Sequence, residues 1–219
     1  MVDELRFINI SFCDVLRVFI LNSLTEFGLF SQIIRICIME FQELIKNRQS
    51  VRKYTSQPVE KEKIEKLISA VHLSPSACNS QPWRLIIVDE PGLKTEVAKA
   101  TFSKTIGFNK FAVEAPVIAV LVIEKAKLIA QIGGSLKNQE YPYYDIGIAA
   151  AHFCLQAAEL GLGTCMIGWF DENRIKQLLK IPEKRKIGLV ITLGYPPEGY
   201  KLRQKIRKPI EQICGFNQY

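Results

Sequence analysis

Seven consecutive apolar residues at 117–123, VIAVLVI, carry neither charge, glycine nor proline. A strand with one face in water alternates apolar and polar side chains, so an unbroken run is expected to be central and covered on both faces. Any fold open to this chain must place a layer above and a layer below that strand. Residues 144–160 supply one such layer, with Ile146, Ala149, Ala150, Phe153, Ala157 and Leu160 among further alanines, ahead of Gly161 and Gly163. This pattern predicts the most buried helix. Residues 60–73 place Ile64, Leu67, Ile68 and Val71 at the spacing of an amphipathic helix, with Pro75 just past its end. Further helices are expected through Phe41, Leu44 and Ile45, at 93–101 after a Pro91-Gly92 turn, and through Ile175, Leu178 and Leu179, capped by Asp171 and stopped before Pro182. Strands are expected at 85–88, 164–167 and 187–193. Helices outnumber and separate the strands, which implies an α/β or α+β sandwich.

At 219 residues, 48% of them apolar, the chain can bury one sizeable core without metal or disulfide staples. No repeat, low-complexity tract or long linker divides it, so residues 39–219 read as one domain. Residues 1–38 are rich in Phe, Ile and Leu, yet show no sustained helical stripe and no uncharged run suited to a bilayer. They are either an amphipathic appendage or an extension upstream of a natural start at Met39. Asp3, Glu4 and Arg6 do not suit a secretory signal, so the expected location is the cytoplasm, with thiols reduced and no membrane partner. The six cysteines, at 13, 37, 78, 154, 165 and 214, form no CxxC and no cluster with His72 or His152. A metal site is not expected, and both histidines read as structural.

The charge balance, 29 basic against 22 acidic residues, favours an anionic ligand without naming one. No GxxxxGK[ST] loop is present, the glycines at 161, 163 and 168 are not a strand-turn-helix GxGxxG, and no GxSxG elbow exists. Two basic constellations remain. In RQSVR at 48–52, extended backbone would project Arg48, Ser50 and Arg52 to one face, where guanidinium forks and a hydroxyl could grip a phosphate; a solvated polar loop is the alternative. KIRKP at 205–209 offers similar donors, or is a soluble tail that wraps another surface. Between them lies SPSACNSQPW at 74–83, whose small residues and two carboxamides, Asn79 and Gln81, suit an aromatic heterocycle. It could equally be a turn with Trp83 as core anchor.

Together, RQSVRKY at 48–54, PSACNSQPW at 75–83, GLGTCMIGWF at 161–170, LGYP at 193–196 and KIRKP at 205–209 resemble the nitroreductase family of flavin enzymes, in family order, over about residues 39–214. The resemblance implies an α+β three-layer sandwich, with a central mostly antiparallel sheet flanked by helices, and a homodimer binding FMN at its interface. Carried over by position, it implies that Arg48 and Ser50 hold the FMN phosphate and ribityl chain, that Lys205 and Arg207 complete the phosphate site, and that Arg52 reaches the N1 and O2 edge. A cation there raises the flavin's potential. It further implies that Pro75, Ser76, Ala77 and Asn79 lie against the flavin from the partner subunit, that Ile167, Gly168 and Trp169 present a backbone N–H to N5, and that Asn109 and Lys110 touch the pyrimidine edge.

The activity implied is hydride transfer from NADH or NADPH through flavin N5 to a nitroaromatic, quinone or similar electron-poor small molecule, with no protein nucleophile. Gly168-Trp169 stands where some relatives carry an acidic residue followed by glycine, which affects local polarity. Cys78 and Cys165 are expected as buried filler, and substrate selectivity is expected in the poorly patterned region 129–144. The alternatives are another reaction in the same pocket, such as reductive dehalogenation or oxidative flavin chemistry, or a non-catalytic flavin-binding protein. Nucleic acid is not an expected partner, because aromatic interleaving is lacking and phosphate already accounts for the charges.

Overall fold

Four strands build the sheet: β1 (Trp83–Val88), β2 (Val117–Ile123), β3 (Gly163–Ile167) and β4 (Lys186–Gly194). They lie in the order β1-β2-β4-β3, every pair antiparallel. The computed structural model describes residues 40–102 and 108–219, and the fold below is that of the unit Leu44–Tyr219. The expected extension at 1–38 lies outside the described residues. The uninterrupted apolar run is indeed a central strand, with residues 117–122 each at most 2% exposed.

Period-two alternation divides β2 between two cores. Val117, Ala119 and Leu121 face Leu67 and Val71 of α2 (Lys61–His72), together with Ala149, Ala150 and Phe153. Ile118, Val120 and Val122 face Val97 and Ala98 of α3 (Pro91–Lys99), together with Ile175. The result is an α+β sandwich of three layers, as the motifs implied. A short helix, α1 (Phe41–Asn47), precedes the cationic segment at 48–52.

Pro91 and Gly92 form no separate turn; they open α3. Proline suits the first helical position, where its missing N–H goes unused, and the Glu90 carboxylate accepts the Gly92 and Leu93 N–H groups. One helix went unexpected: α4 (Leu128–Lys137). Gly133 and Gly134 lower its helix propensity, and its large apolar residues, Leu128, Ile129, Ile132 and Leu136, face outward, leaving only Ala130 and Gly134 buried. The most buried helix, α5 (Tyr141–Glu159), starts three residues earlier than expected and ends on Gly161, whose φ of +75° completes a Leu162 N to Ala157 O bond of 2.8 Å. Helix α6 (Glu172–Leu179) carries the expected cap, the Asp171 carboxylate accepting from Arg174 N at 2.9 Å.

Candidate functional site

Residues 48–52 run beside β3. Val51 N donates to Thr164 O at 2.8 Å and Ser50 bridges Thr164 in parallel, which adds a parallel element to an antiparallel sheet. Only glycine permits this approach at position 163, where a Cβ would stand 2.7 Å from Val51 Cγ2. Val51 is buried with Tyr54, so alternation turns Ser50 and Arg52 the other way. The Tyr54 hydroxyl donates to Val51 O at 2.8 Å and shares a 2.7 Å bond with Thr192 Oγ1, and burial pushes its pKa far above the ordinary phenol range.

The C-terminal segment folds back along the same edge. Gln49 Nε2 donates to Lys201 O at 3.2 Å, Gln49 Oε1 accepts from Arg203 N at 3.0 Å, and the Tyr200 hydroxyl accepts from Arg52 N at 3.1 Å. The Arg203 guanidinium donates to Ser50 O, and Lys205 Nζ to Lys46 O. Arg48, Arg52, Arg203, Lys205 and Arg207 are thereby gathered in one region. Lys205 is held below the ordinary lysine range by burial and then by the Arg48 and Arg207 charges, while Cys165 senses the Ser50 hydroxyl and the charges of Arg52 and Arg203. Among the described residues, none of the five cations is ion-paired with a carboxylate. Clustered like charges without a counter-charge favour an anion. The tail thus covers a surface of its own chain, and it adds Arg203, which its place inside a basic run did not distinguish.

A second group forms around Trp169. Asn109, at φ +65°, donates through Nδ2 to Thr101 O at 3.0 Å and to Trp169 O at 3.4 Å, next to Lys110 at the start of a 3₁₀ turn. Phe108 meets the Trp169 ring edge-on at 6.1 Å. Ile167 is buried in the second core, so only its backbone is available there; Gly168 is open, and Trp169 is 61% exposed.

The loop at 74–83 forms a third. Ser76 Oγ accepts from Gln81 N at 2.9 Å, Asn79 Oδ1 accepts from Gln81 Nε2 at 2.8 Å, and Ala77 N donates to Asp145 Oδ1 at 3.0 Å. The two carboxamides therefore pair with each other, and the protons of the Ser76 hydroxyl and the Asn79 amide are among those the loop can offer a ligand. Pro75 is exposed, and so is Cys78, contrary to its expected burial, because its φ of +52° turns it outward from the kinked 3₁₀ turn. Asp145 is buried, and desolvation raises its carboxyl against the opposing pull of the Ala77 N–H. Among the described residues, no hydrogen bond joins this loop to the cationic cluster or to Trp169; its side-chain bonds beyond itself run to Asp145, to Lys127 and back to Ala70, and Pro82 O accepts from Glu124 N.

Burial pushes the Cys154 thiol up to about 11 and raises Cys165, so neither is an activated nucleophile. His72 is exposed at the end of α2, while His152 Nδ1 lies 2.9 Å from Ile148 O. Among the described residues, no group of three His, Cys, Asp or Glu side chains could hold a metal ion, and no helix is long and apolar enough to cross a membrane.

Residues 45–195 match the model of the nitroreductase family. A protein of Archaeoglobus fulgidus that carries the name NADH dehydrogenase/NAD(P)H nitroreductase is 32% identical over 73% of this chain and 87% of its own. An iodotyrosine deiodinase of Nematostella vectensis is 25% identical over 80% of this chain and 74% of its own. Among solved structures, an FMN-dependent nitroreductase of Clostridium difficile R20291 superposes with a TM-score of 0.62 at 28% identity, covering 80% of this chain and 98% of that one. The matched region carries the whole sheet, and with it Arg48, the 74–83 loop and Gly168-Trp169, while the tail with Arg203, Lys205 and Arg207 follows it: the chain belongs to the nitroreductase family.

Proposed function

We propose that the protein is an FMN-dependent oxidoreductase that takes a hydride from NADH or NADPH and delivers it, through flavin N5, to a nitroaromatic, quinone or similarly electron-poor acceptor. The observation that carries this reading is the convergence of Arg48, Arg52, Arg203, Lys205 and Arg207 without a carboxylate among them. Family membership makes the FMN phosphate the anion that suits them. Arg48, Lys205 and Arg207 bind the phosphate, the Ser50 hydroxyl serves the ribityl chain, and Arg52 serves the N1 and O2 edge. The backbone of Ile167, Gly168 and Trp169 donates toward N5, and Asn109 and Lys110 serve the pyrimidine edge. Pro75, Ser76, Ala77 and Asn79 belong to the partner's flavin. That assignment makes the protein a homodimer, and it accords with a loop bonded to α4's approach and α5 rather than to its own chain's cations.

FMN, when bound, supplies the hydride chemistry. The chain's own groups bind, orient and set the field, and none is asked to be a nucleophile: Tyr54 is bonded twice, and burial holds Cys154 and Cys165 protonated. The exposed Trp169 and Phe108 offer a ledge on which donor and acceptor can alternate. Four free cysteines among the described residues accord with a reducing cytoplasm. The deiodinase relative favours a second reading, reductive dehalogenation, in which two electrons and a proton replace a carbon–halogen bond by carbon–hydrogen and release halide.

The test is direct. The purified protein should be a yellow dimer whose colour bleaches anaerobically with NADH or NADPH and returns on adding a nitro or quinone acceptor. Return only with halogenated aromatics would select the second reading; a colourless monomer indifferent to FMN, or bound flavin that never bleaches, would overturn the oxidoreductase.

A further inference from the structure

We propose that Asp145 is a positioning residue for the flavin: through the Ala77 N–H it fixes the turn at 76–81 in the shape that receives the ring. The inference rests on the flavin reading above. Asp145 lies one turn into α5, 3% exposed, with Oδ1 accepting from Ala77 N at 3.0 Å. Its other oxygen, Oδ2, is buried without a hydrogen-bond partner among the described residues. An apolar side chain of similar size would fill that place without the cost of an unpaired, desolvated oxygen. What the carboxylate alone provides is an acceptor for Ala77.

The turn needs that acceptor. Cys78, Asn79 and Gln81 have φ of 52°, 47° and 49°, three non-glycine residues in left-handed backbone within four positions. Such backbone persists only where its surroundings hold it. The other side-chain restraints are exposed: Gln81 N to Ser76 Oγ and Gln81 Nε2 to Asn79 Oδ1 lie within the turn, as do the backbone bonds Asn79 N to Ser76 O and Ser80 N to Ala77 O, and Lys127 N to Ser80 Oγ reaches the connection before α4. Among the described residues, the Asp145 bond is the one that ties the front of the turn to α5, whose Ile146, Ala149 and Ala150 are buried against the sheet; its far end is held by Trp83 N to Gln81 O and, one residue on, by Glu124 N to Pro82 O, at the adjoining ends of β1 and β2. Held in this way, the turn aims the Ser76 hydroxyl and the Asn79 amide protons, both donors, as the carbonyl edges of a flavin require. Asp145 acts through the turn and has no place in the cationic cluster.

Three forms of the full chain test this: wild type, Asp145→Ala and Asp145→Asn, the last retaining the Oδ1 acceptor. Asp145→Ala should lower FMN affinity about tenfold or more, the loss of a hydrogen bond to a charged group, and should change the band shape of bound flavin. In the flavin-free protein its amides at 78–81 should exchange faster than those of the wild type. Asp145→Asn should restore all three readouts. Equal FMN affinity and spectrum in wild type and Asp145→Ala would overturn the positioning role while leaving the flavin reading intact. A wild type that binds no FMN would remove the flavin reading, and this one with it. Should Asp145→Ala not fold, Asp145→Leu takes its place; failure of both to fold would make Asp145 structural and overturn the proposal.

Discussion

Arg48→Ala removes a guanidinium whose effect differs in sign between the empty and loaded site. In the empty protein Arg48 helps to hold Lys205 below the ordinary lysine range, so its loss relieves a repulsion that solvent already screens. With FMN bound, the same group would donate charge-assisted hydrogen bonds worth about 1.5 to 3 kcal/mol. At about 1.4 kcal/mol per decade, that is a loss of roughly 10- to 150-fold in affinity. Riboflavin has the ring and ribityl chain but no phosphate, and should not sense the change. The assay titrates deflavinated wild type and variant with FMN and with riboflavin, following flavin fluorescence, and compares urea midpoints of the flavin-free proteins. The expected outcome is weaker FMN binding, unchanged riboflavin binding, an unchanged or slightly higher midpoint, and a shallower dependence of FMN affinity on salt. Unchanged FMN affinity, or a parallel loss for riboflavin, would show that Arg48 does not hold the phosphate.

Gly163→Ala would place a methyl 2.7 to 2.9 Å from three side-chain atoms of Val51; it should cost about 1 to 3 kcal/mol in urea unfolding and weaken FMN binding by pushing 48–52 off β3, and an unchanged midpoint would refute that contact. Tyr54→Phe would strip a buried hydroxyl bonded to Val51 O and Thr192 Oγ1; a cost of about 1 to 3 kcal/mol is expected, and none at all would contradict the network. The Cys154 thiol, pushed up to about 11 by burial, ionises first in the unfolded chain, near 9. Its contribution is therefore complete below pH 9 and lost as pH rises through 11, so wild type should lose about 2 to 3 kcal/mol more than Cys154→Ala across that window; identical pH slopes would refute the assignment.

What the sequence made legible follows from how locally each feature is encoded. β2 could be read because burial of both faces leaves seven apolar residues in a row, and Asp171 because a cap acts on residues only three positions away. α4 could not, because its outward apolar face and its buried Ala130 and Gly134 invert the usual pattern. The basic segments at 48–52 and 205–209 announced an anion, but Arg203 acquired its role only when the tail folded back onto Ser50. Asp145 gave no signal either: one acidic residue among tyrosines near a helix start looks like a surface group until Ala77, 68 positions away, is found on its oxygen.

The location of the cationic cluster has its own physical logic. β3 is at the edge of the sheet, and an unpaired edge invites association with another strand. Residues 48–52 cover it, but in parallel, and only because Gly163 lets Val51 approach so closely. Burying Val51 beneath that edge turns Ser50 and Arg52 outward by simple alternation, and the tail then adds Arg203 through the Ser50 carbonyl and Lys205 through the Lys46 carbonyl in the last turn of α1. Protection of the edge and display of the cations are consequently one event. A substitution that loosens the 48–52 segment should therefore expose β3 to self-association in the same step that it weakens anion binding, and Gly163→Ala, scored by both sedimentation and FMN titration, would separate this coupling from two independent effects.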